Sequence, residues 1–268
     1  MSALTFILKT EPAQRIDLSP LTPDQLTGKS LVEIAGIELH SGNRKLRVDE
    51  VFDVSGKVAN DIVIRNSCSK LDYIGKSMKC GRLSVIGNAG DYLGFEMAGG
   101  ELIVQGDVEA FAASGMRNGF LHIQGNAGDY LGGAIAGDKQ GMKGGTVVVT
   151  GNAGDRAGDQ MRRGLLLIEG NAGDYCACRM IAGTIGVLGR VGEYTGYGMR
   201  RGTLLLTQTP SLHPTIVDCG VHTLPFLSLM FKSFASLPSK FAKIGSNRVH
   251  RYAGDIAIDG KGEILVLQ

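Results

Sequence analysis

Seven short stretches alternate apolar and polar positions with a period of two, their apolar pairs being Leu83/Val85, Leu102/Val104, Leu121/Ile123, Val147/Val149, Leu166/Ile168, Ile185/Val187 and Leu204/Leu206. That spacing puts each pair on one face of a β-strand and fits no helical face. The strands belong to copies of one unit. The hexapeptide GNAGDY begins at Gly87, Gly125 and Gly170, and GNAGDR at Gly151. Aligned on their first residue, seven windows begin at residues 68, 87, 106, 125, 151, 170 and 189, 19 apart except for one step of 26 that places a seven-residue insertion within GDKQGMKGG. Their fifth positions are Asp72, Asp91, Ala110, Asp129, Asp155, Asp174 and Glu193, and their sixth is aromatic everywhere but Arg156. Met78, Met97, Met116, Met142, Met161, Met180 and Met199 follow, each with a glycine three residues later.

A 19-residue unit with about four aliphatic side chains cannot offset the entropy of ordering itself, so each copy needs neighbours above and below. The expected fold is therefore all-β, a parallel β-helix over residues 50–207 with about seven 19-residue coils. At the strand spacing its length is about 30 to 35 Å. Each coil is expected to hold one clear strand and a shorter one around the Asp–aromatic pair. Methionines and aliphatics face inward, and glycines turn the corners.

The flanks break the period. Residues 1–49 read as an N-terminal cap with a strand at Leu4–Leu8 and short helices after Pro23 and Ser30, where Ser30 and Glu33 match a capping box. Residues 208–268 read as a C-terminal cap and extension: LPFLSLMFKSF (224–234) is apolar and helical, and DIAIDGKGEILVLQ (255–268) reads as a hairpin turning at Asp259–Gly262. Phe226, Leu229, Met230, Phe231 and Phe234 either close the end of the solenoid or dock against another chain, and one segment can do both.

Composition narrows the classes. Among 268 residues, 40 glycines, 6% aromatics and no Trp suit a turn-rich solenoid. Five cysteines without a disulfide framework suit reduced thiols and a cytoplasmic setting. The start MSALTFILKTEPAQR lacks the organisation of a secretory signal, and no apolar run reaches the length of a membrane span.

Catalytic constellations are scarce. The five histidines share no metal-ligand spacing; only His122 lies in a repeat, where the alternation turns it outward. Cys176 and Cys178 form a CxC pair that fills core or corner space more readily than it binds metal. Carboxylates stacked about 5 Å apart repel by about 1 kcal/mol in water and by several at an effective dielectric near 20. The Asp positions are expected to be held by turn amides, as in Asx turns, since the calcium-binding nonapeptide period is absent. The asparagines 88, 126, 152 and 171 are read as a hydrogen-bonded corner ladder. One surface feature stands out. Lys79, Arg117, Lys143, Arg162, Arg163, Arg200 and Arg201 directly follow the ladder methionines and should form a basic stripe on one corner. That stripe is either a solvated edge or a recognition surface for acidic groups on a partner or a polyanionic ligand. With a net charge of +2 and no interleaved aromatics, nucleic acid is not the expected partner.

The run GNAGDY, Met, Gly and an LxVxG-like strand resembles the glycine-rich repeat domain found at the carboxyl end of the large subunit of glutamate synthase and in the C subunit of formylmethanofuran dehydrogenase. The resemblance covers about residues 40–207. It implies a right-handed β-helix. The opening LTFILKTEPAQRIDLSPLTP and the tail RYAGDIAIDGKGEILVL (251–267) resemble C-subunit proteins, in particular those of the formyltransferase/hydrolase complex. The resemblance implies a non-catalytic scaffold that contacts the A and B subunits beside a formyltransferase D subunit, with no cofactor of its own. It further implies that the complex works between tetrahydromethanopterin and a methanofuran-type carrier, releases formate and holds a metal in its A subunit. Because such a bacterial carrier bears a polyglutamate arm, Arg117, Lys143, Arg162, Arg163, Arg200 and Arg201 are candidates to hold it, or an acidic partner. The alternatives are a free-standing glutamate synthase-type structural domain, the C subunit of the archaeal tungsten or molybdenum enzyme, and an autonomous enzyme.

Overall fold

The computed structural model describes residues 2–268. A 13-stranded, mostly parallel sheet dominates it, and a 4-stranded sheet lies at the N-terminal end. The strand Ala3–Leu8 pairs parallel with Val58–Ser67. From there Arg82–Gly87, Glu101–Val104, Phe120–Ile123, Lys143–Val149, Arg163–Ile168, Thr184–Val187, Thr203–Leu206 and finally Gly262–Leu267 add one parallel strand each. The result is a β-helix-like stack in which equivalent residues of successive repeats lie in register.

The period-two pairs form the core as expected. One column runs Leu83, Leu102, Leu121, Val147, Leu166, Ile185, Leu204 and Ile264, and a second runs Val85 to Val266, all 2% exposed or less. Leu4/Phe6 and Ile62/Ile64 extend the columns in the other direction. Methionine and glycine are coupled between layers. The glycine three residues past each methionine has φ between 83° and 107°. A Cβ built on Gly100, Gly119, Gly145, Gly164, Gly183 or Gly202 would stand 2.6 to 3.1 Å from the Cε of the preceding layer's methionine. Glycine there meets both a backbone need and a volume need.

The shorter strand expected around the Asp–aromatic pair forms only in the first repeat, as Leu71–Asp72 in the small sheet, and elsewhere is reduced to isolated bridges. Single parallel bridges link Ala89, Val108, Ala127, Ala153, Ala172 and Val191, and the aromatic three residues further on turns the chain with φ of 54° to 62°. Left-handed φ costs a bulky residue energy. Stacking offsets it here: Tyr73/Tyr92, Tyr92/Phe111, Phe111/Tyr130 and Tyr175/Tyr194 lie 4.8 to 5.2 Å apart and nearly parallel. Arg156 replaces the ring in its layer, its guanidinium 4.5 Å from the Tyr175 centroid and 5.8 Å from that of Tyr130.

The polar ladders bond between layers and not within an Asx turn. Oδ1 of Asp72, Asp91, Asp129, Asp155 and Asp174 each accepts the backbone N–H of the equivalent residue in the next layer at 2.8 to 3.0 Å. Asn88, Asp107, Asn126, Asn152 and Asn171 do the same one corner earlier. Arg15 closes the Asp column, with Nη1 2.6 Å from Asp72 and 3.1 Å from Asp91. Burial pushes the Asp72 carboxyl up, and the Asp91 amide and Arg15 pull it part of the way back.

At the N-terminal end the short helices Pro23–Leu26 and Leu31–Ala35 form, the second with the full Ser30/Glu33 capping box. At the other end the helix Phe226–Phe234 forms as read. The hairpin is displaced: Arg248–Gly254 is the strand antiparallel to Gly262–Leu267, and Ile256–Ile258 is a short 3₁₀ turn capped by Asp255. The Phe226–Phe234 helix and Phe241 cover the outer face of the sheet. There Val148, Leu167, Leu205 and Leu265 line up between the inward columns, with Gly186 at the layer where a Cβ would meet Phe241 at 2.6 Å. His122 begins this outer row. It does leave the inner core, yet it is only 8% exposed, with Nε2 3.2 Å from the Thr150 hydroxyl.

Candidate functional site

The basic corner is built by the backbone ladder. Arg162, Ile181 and Arg200 donate their N–H groups to Met142, Met161 and Met180 of the preceding layer at 2.8 Å, and Lys261 donates to Arg200 at 2.7 Å. Side chains at this position therefore rise layer by layer, and those of Arg163, Ala182 and Arg201 rise beside them. Arg162, Arg163, Arg200 and Arg201 surround a notch of about 370 Å³ floored by Ile181 and Ala182. On the far side of Arg162, Ile181 and Arg200 the surface opens into a cavity of about 770 Å³. Lys139 and Gln140 from the seven-residue insertion overhang it, and Arg179, Tyr197, His213, Asp255 and Ile258 complete its lining.

Pairing separates these cations into two groups. Arg179 makes a two-pronged bond to the buried Asp159, with Nε 2.9 Å from Oδ1 and a second contact from Nη2 to Oδ2. Arg117 meets Glu96 at 3.2 Å and stands apart from the notch. Lys143 lies in register with Arg163 at the start of its strand. Arg162 donates to the Gln140 side chain at 3.1 Å. Among the described residues, Arg162, Arg163, Arg200 and Arg201, together with Lys139 and Lys143, have no carboxylate partner, whereas Arg15, Arg47, Arg82, Arg117, Arg179 and Arg251 each have one. Arginines two layers apart are about 10 Å from each other and repel by about 0.4 kcal/mol in water and by under 2 kcal/mol at an effective dielectric near 20. The corner is thus a mildly self-repelling cluster of cations without a carboxylate partner among the described residues. Asp255 sets a negative charge at the cavity's edge without pairing with the arginines. Burial pushes its carboxyl up, but hydrogen bonds from Thr215, Ala257 and Gly198 outweigh this and hold it below the ordinary range.

The sequence locates the four arginines and the insertion, but not Arg179, Tyr197, His213, Asp255 or Ile258. Asp159 and Arg179 occupy neighbouring layers and offer no motif. His213, Asp255 and Ile258 come from the aperiodic extension, whose path no repeat dictates.

The five docking candidates divide. Phe231 and Phe234 are buried against the outer sheet face and Met230 is half-buried, whereas Phe226 is 43% and Leu229 70% exposed. The outer face was legible in part, since VVV, LLI and LLL at Val147–Val149, Leu166–Ile168 and Leu204–Leu206 extend the apolar character to both faces, the mark of doubly covered strands. Cys176 lies in the core, where burial pushes its thiol up to about 12, and Cys178 is raised to about 11 for the same reason. Among the described residues no cluster of three metal-ligating side chains occurs, and no helix is long and apolar enough to cross a membrane.

Comparison with known proteins places these features. The sequence model of the GXGXG motif family matches residues 67–218. The C subunit of the formyltransferase/hydrolase complex Fhc from Methylorubrum extorquens is 41% identical over 98% of both chains. In the X-ray crystal structure of the FhcABCD complex from that organism with methylofuran, one chain superposes with a TM-score of 0.94 at 39% identity, covering 98% of this chain and 99% of that one. The C subunit of the tungsten-containing formylmethanofuran dehydrogenase 2 from Methanococcus maripaludis is 35% identical over 96 residues, 35% of each chain, so the match spans about a third of that relative.

Proposed function

From the premise that the chain belongs to the GXGXG motif family, and within it to the C-subunit proteins of formyltransferase/hydrolase and formylmethanofuran dehydrogenase complexes, we propose that it is a non-catalytic scaffold subunit of a one-carbon formyl-transfer complex. Its partners are the amidohydrolase-like A subunit and the B subunit, both of which it contacts directly, and the formyltransferase D subunit. The complex works between tetrahydromethanopterin and a methanofuran-type carrier and releases formate, its metal residing in the A subunit. In this reading residues 50–207 are right-handed coils, residues 1–49 close one end, and residues 208–268 close the other and carry docking surface.

The observation that carries the proposal is the end-to-end correspondence with an Fhc C subunit, extension included. It favours the hydrolytic complex over the archaeal redox enzymes, whose match is confined to about a third of the chain. The use of polar side chains agrees with a structural role: the repeated carboxylates and amides accept backbone N–H groups of the next layer. Affinity purification of the tagged chain from its native cells tests the proposal. Amidohydrolase-like and formyltransferase subunits should co-elute, with formyl hydrolysis confined to the complex. Recovery of glutamine amidotransferase or flavin subunits in their place would contradict it.

A further inference from the structure

We propose that the groove shared by Arg162, Arg163, Arg200 and Arg201 receives an acidic segment of a partner subunit. The inference rests on the reading of the chain as one subunit of a complex and gives that reading a surface.

Charge selects the occupant. The chain as a whole carries only +2, and of its eleven other arginines six are paired while the five unpaired ones, Arg44, Arg65, Arg156, Arg190 and Arg248, are scattered along the chain; these four alone crowd one corner without a carboxylate partner among the described residues. Shape narrows it further. Ile181 and Ala182, in the layer between the two arginine pairs, leave an apolar floor where two further long cations would otherwise stand. Each flanking pair offers planar guanidinium forks suited to carboxylates, the two pairs standing about 10 Å apart. The groove then continues past Arg162 and Arg200, beneath Lys139, to Tyr197 and Ile258, which are 43% and 46% exposed. A polypeptide whose carboxylates are flanked by aliphatic or aromatic side chains meets both halves. An inorganic anion would satisfy one arginine pair and leave the apolar half uncovered. Arg179 is not counted, since Asp159 already holds it.

The test compares Arg162→Glu/Arg200→Glu with Arg44→Glu/Arg190→Glu, which changes net charge equally at exposed positions outside the groove. Each purified chain is titrated against the remaining subunits of the complex at low and high salt, after thermal melting confirms that it is folded. The groove variant should bind about tenfold more weakly or worse at low salt, with the gap closing at high salt, while the control stays close to wild type. Should the glutamate variant not fold, Arg162→Gln/Arg200→Gln removes the charge without adding repulsion and should still weaken binding several-fold. Equal binding by groove variant and control overturns the proposal but leaves the scaffold reading intact. Normal binding to the other subunits with loss of bound methanofuran-type carrier overturns it as well, in favour of a small polyanion. If the wild-type chain binds no partner, the scaffold reading fails first and this one with it.

Discussion

At the residue scale, the fold depends on contacts between a side chain and its counterpart one layer away. Tyr92 stacks on Tyr73 below and Phe111 above while holding φ of 61°. Tyr92→Leu keeps an apolar side chain but removes both stacks, and at about 0.5 to 1.5 kcal/mol per aromatic pair it should cost about 1 to 3 kcal/mol, read from the urea midpoint at unchanged m. His122 contributes to the pH response near neutrality. Burial holds its imidazole below the ordinary 6.5, with Glu169 and Glu101 countering only in part. The unfolded chain therefore takes up this proton first as pH falls, so stability is complete above about pH 6.5 and declines below it. His122→Gln should flatten that part of the decline in urea midpoints measured from neutral to mildly acidic pH. An unchanged slope would show that other groups carry it.

At the element scale, the strands read clearly because their inward residues alternate in a way that only a sheet requires. Their outer faces are harder to read. Val148, Leu167 and Leu205 signal a second covered face, but what covers them lies beyond the repeats, in Phe231, Phe234 and Phe241. The displaced hairpin has a comparable cause. RVHRYAG pairs as a strand although it alternates poorly, while IAI, the better strand sequence, is turned into 3₁₀ geometry by Asp255 accepting the Ala257 amide. The interlayer bonds of the Asp and Asn ladders were hidden for a simpler reason: their donors lie 19 or 26 residues away. The cover has a sensitive point at Gly186. Gly186→Ala drives a methyl into the Phe241 ring and should cost about 1 to 3 kcal/mol, with the 224–247 segment becoming the first site of limited proteolysis. Protection equal to wild type would mean that the aromatic cover has room the packing does not suggest.

At the scale of the whole molecule, a stiff stack of layers has its interior filled by methionine and aliphatics and its corner carboxylates and amides engaged between layers. What it leaves free is surface: a cationic groove at the C-terminal end, and Phe226 and Leu229 on the covering helix. Such a body suits holding other subunits in place. The most direct test is formyl hydrolysis and transfer by the co-expressed complex with and without this chain, alongside the chain alone. The account predicts no turnover by the isolated chain and a complex that loses assembly and activity when it is omitted. Formyl hydrolysis by the purified chain, or a fully active complex formed in its absence, would contradict it.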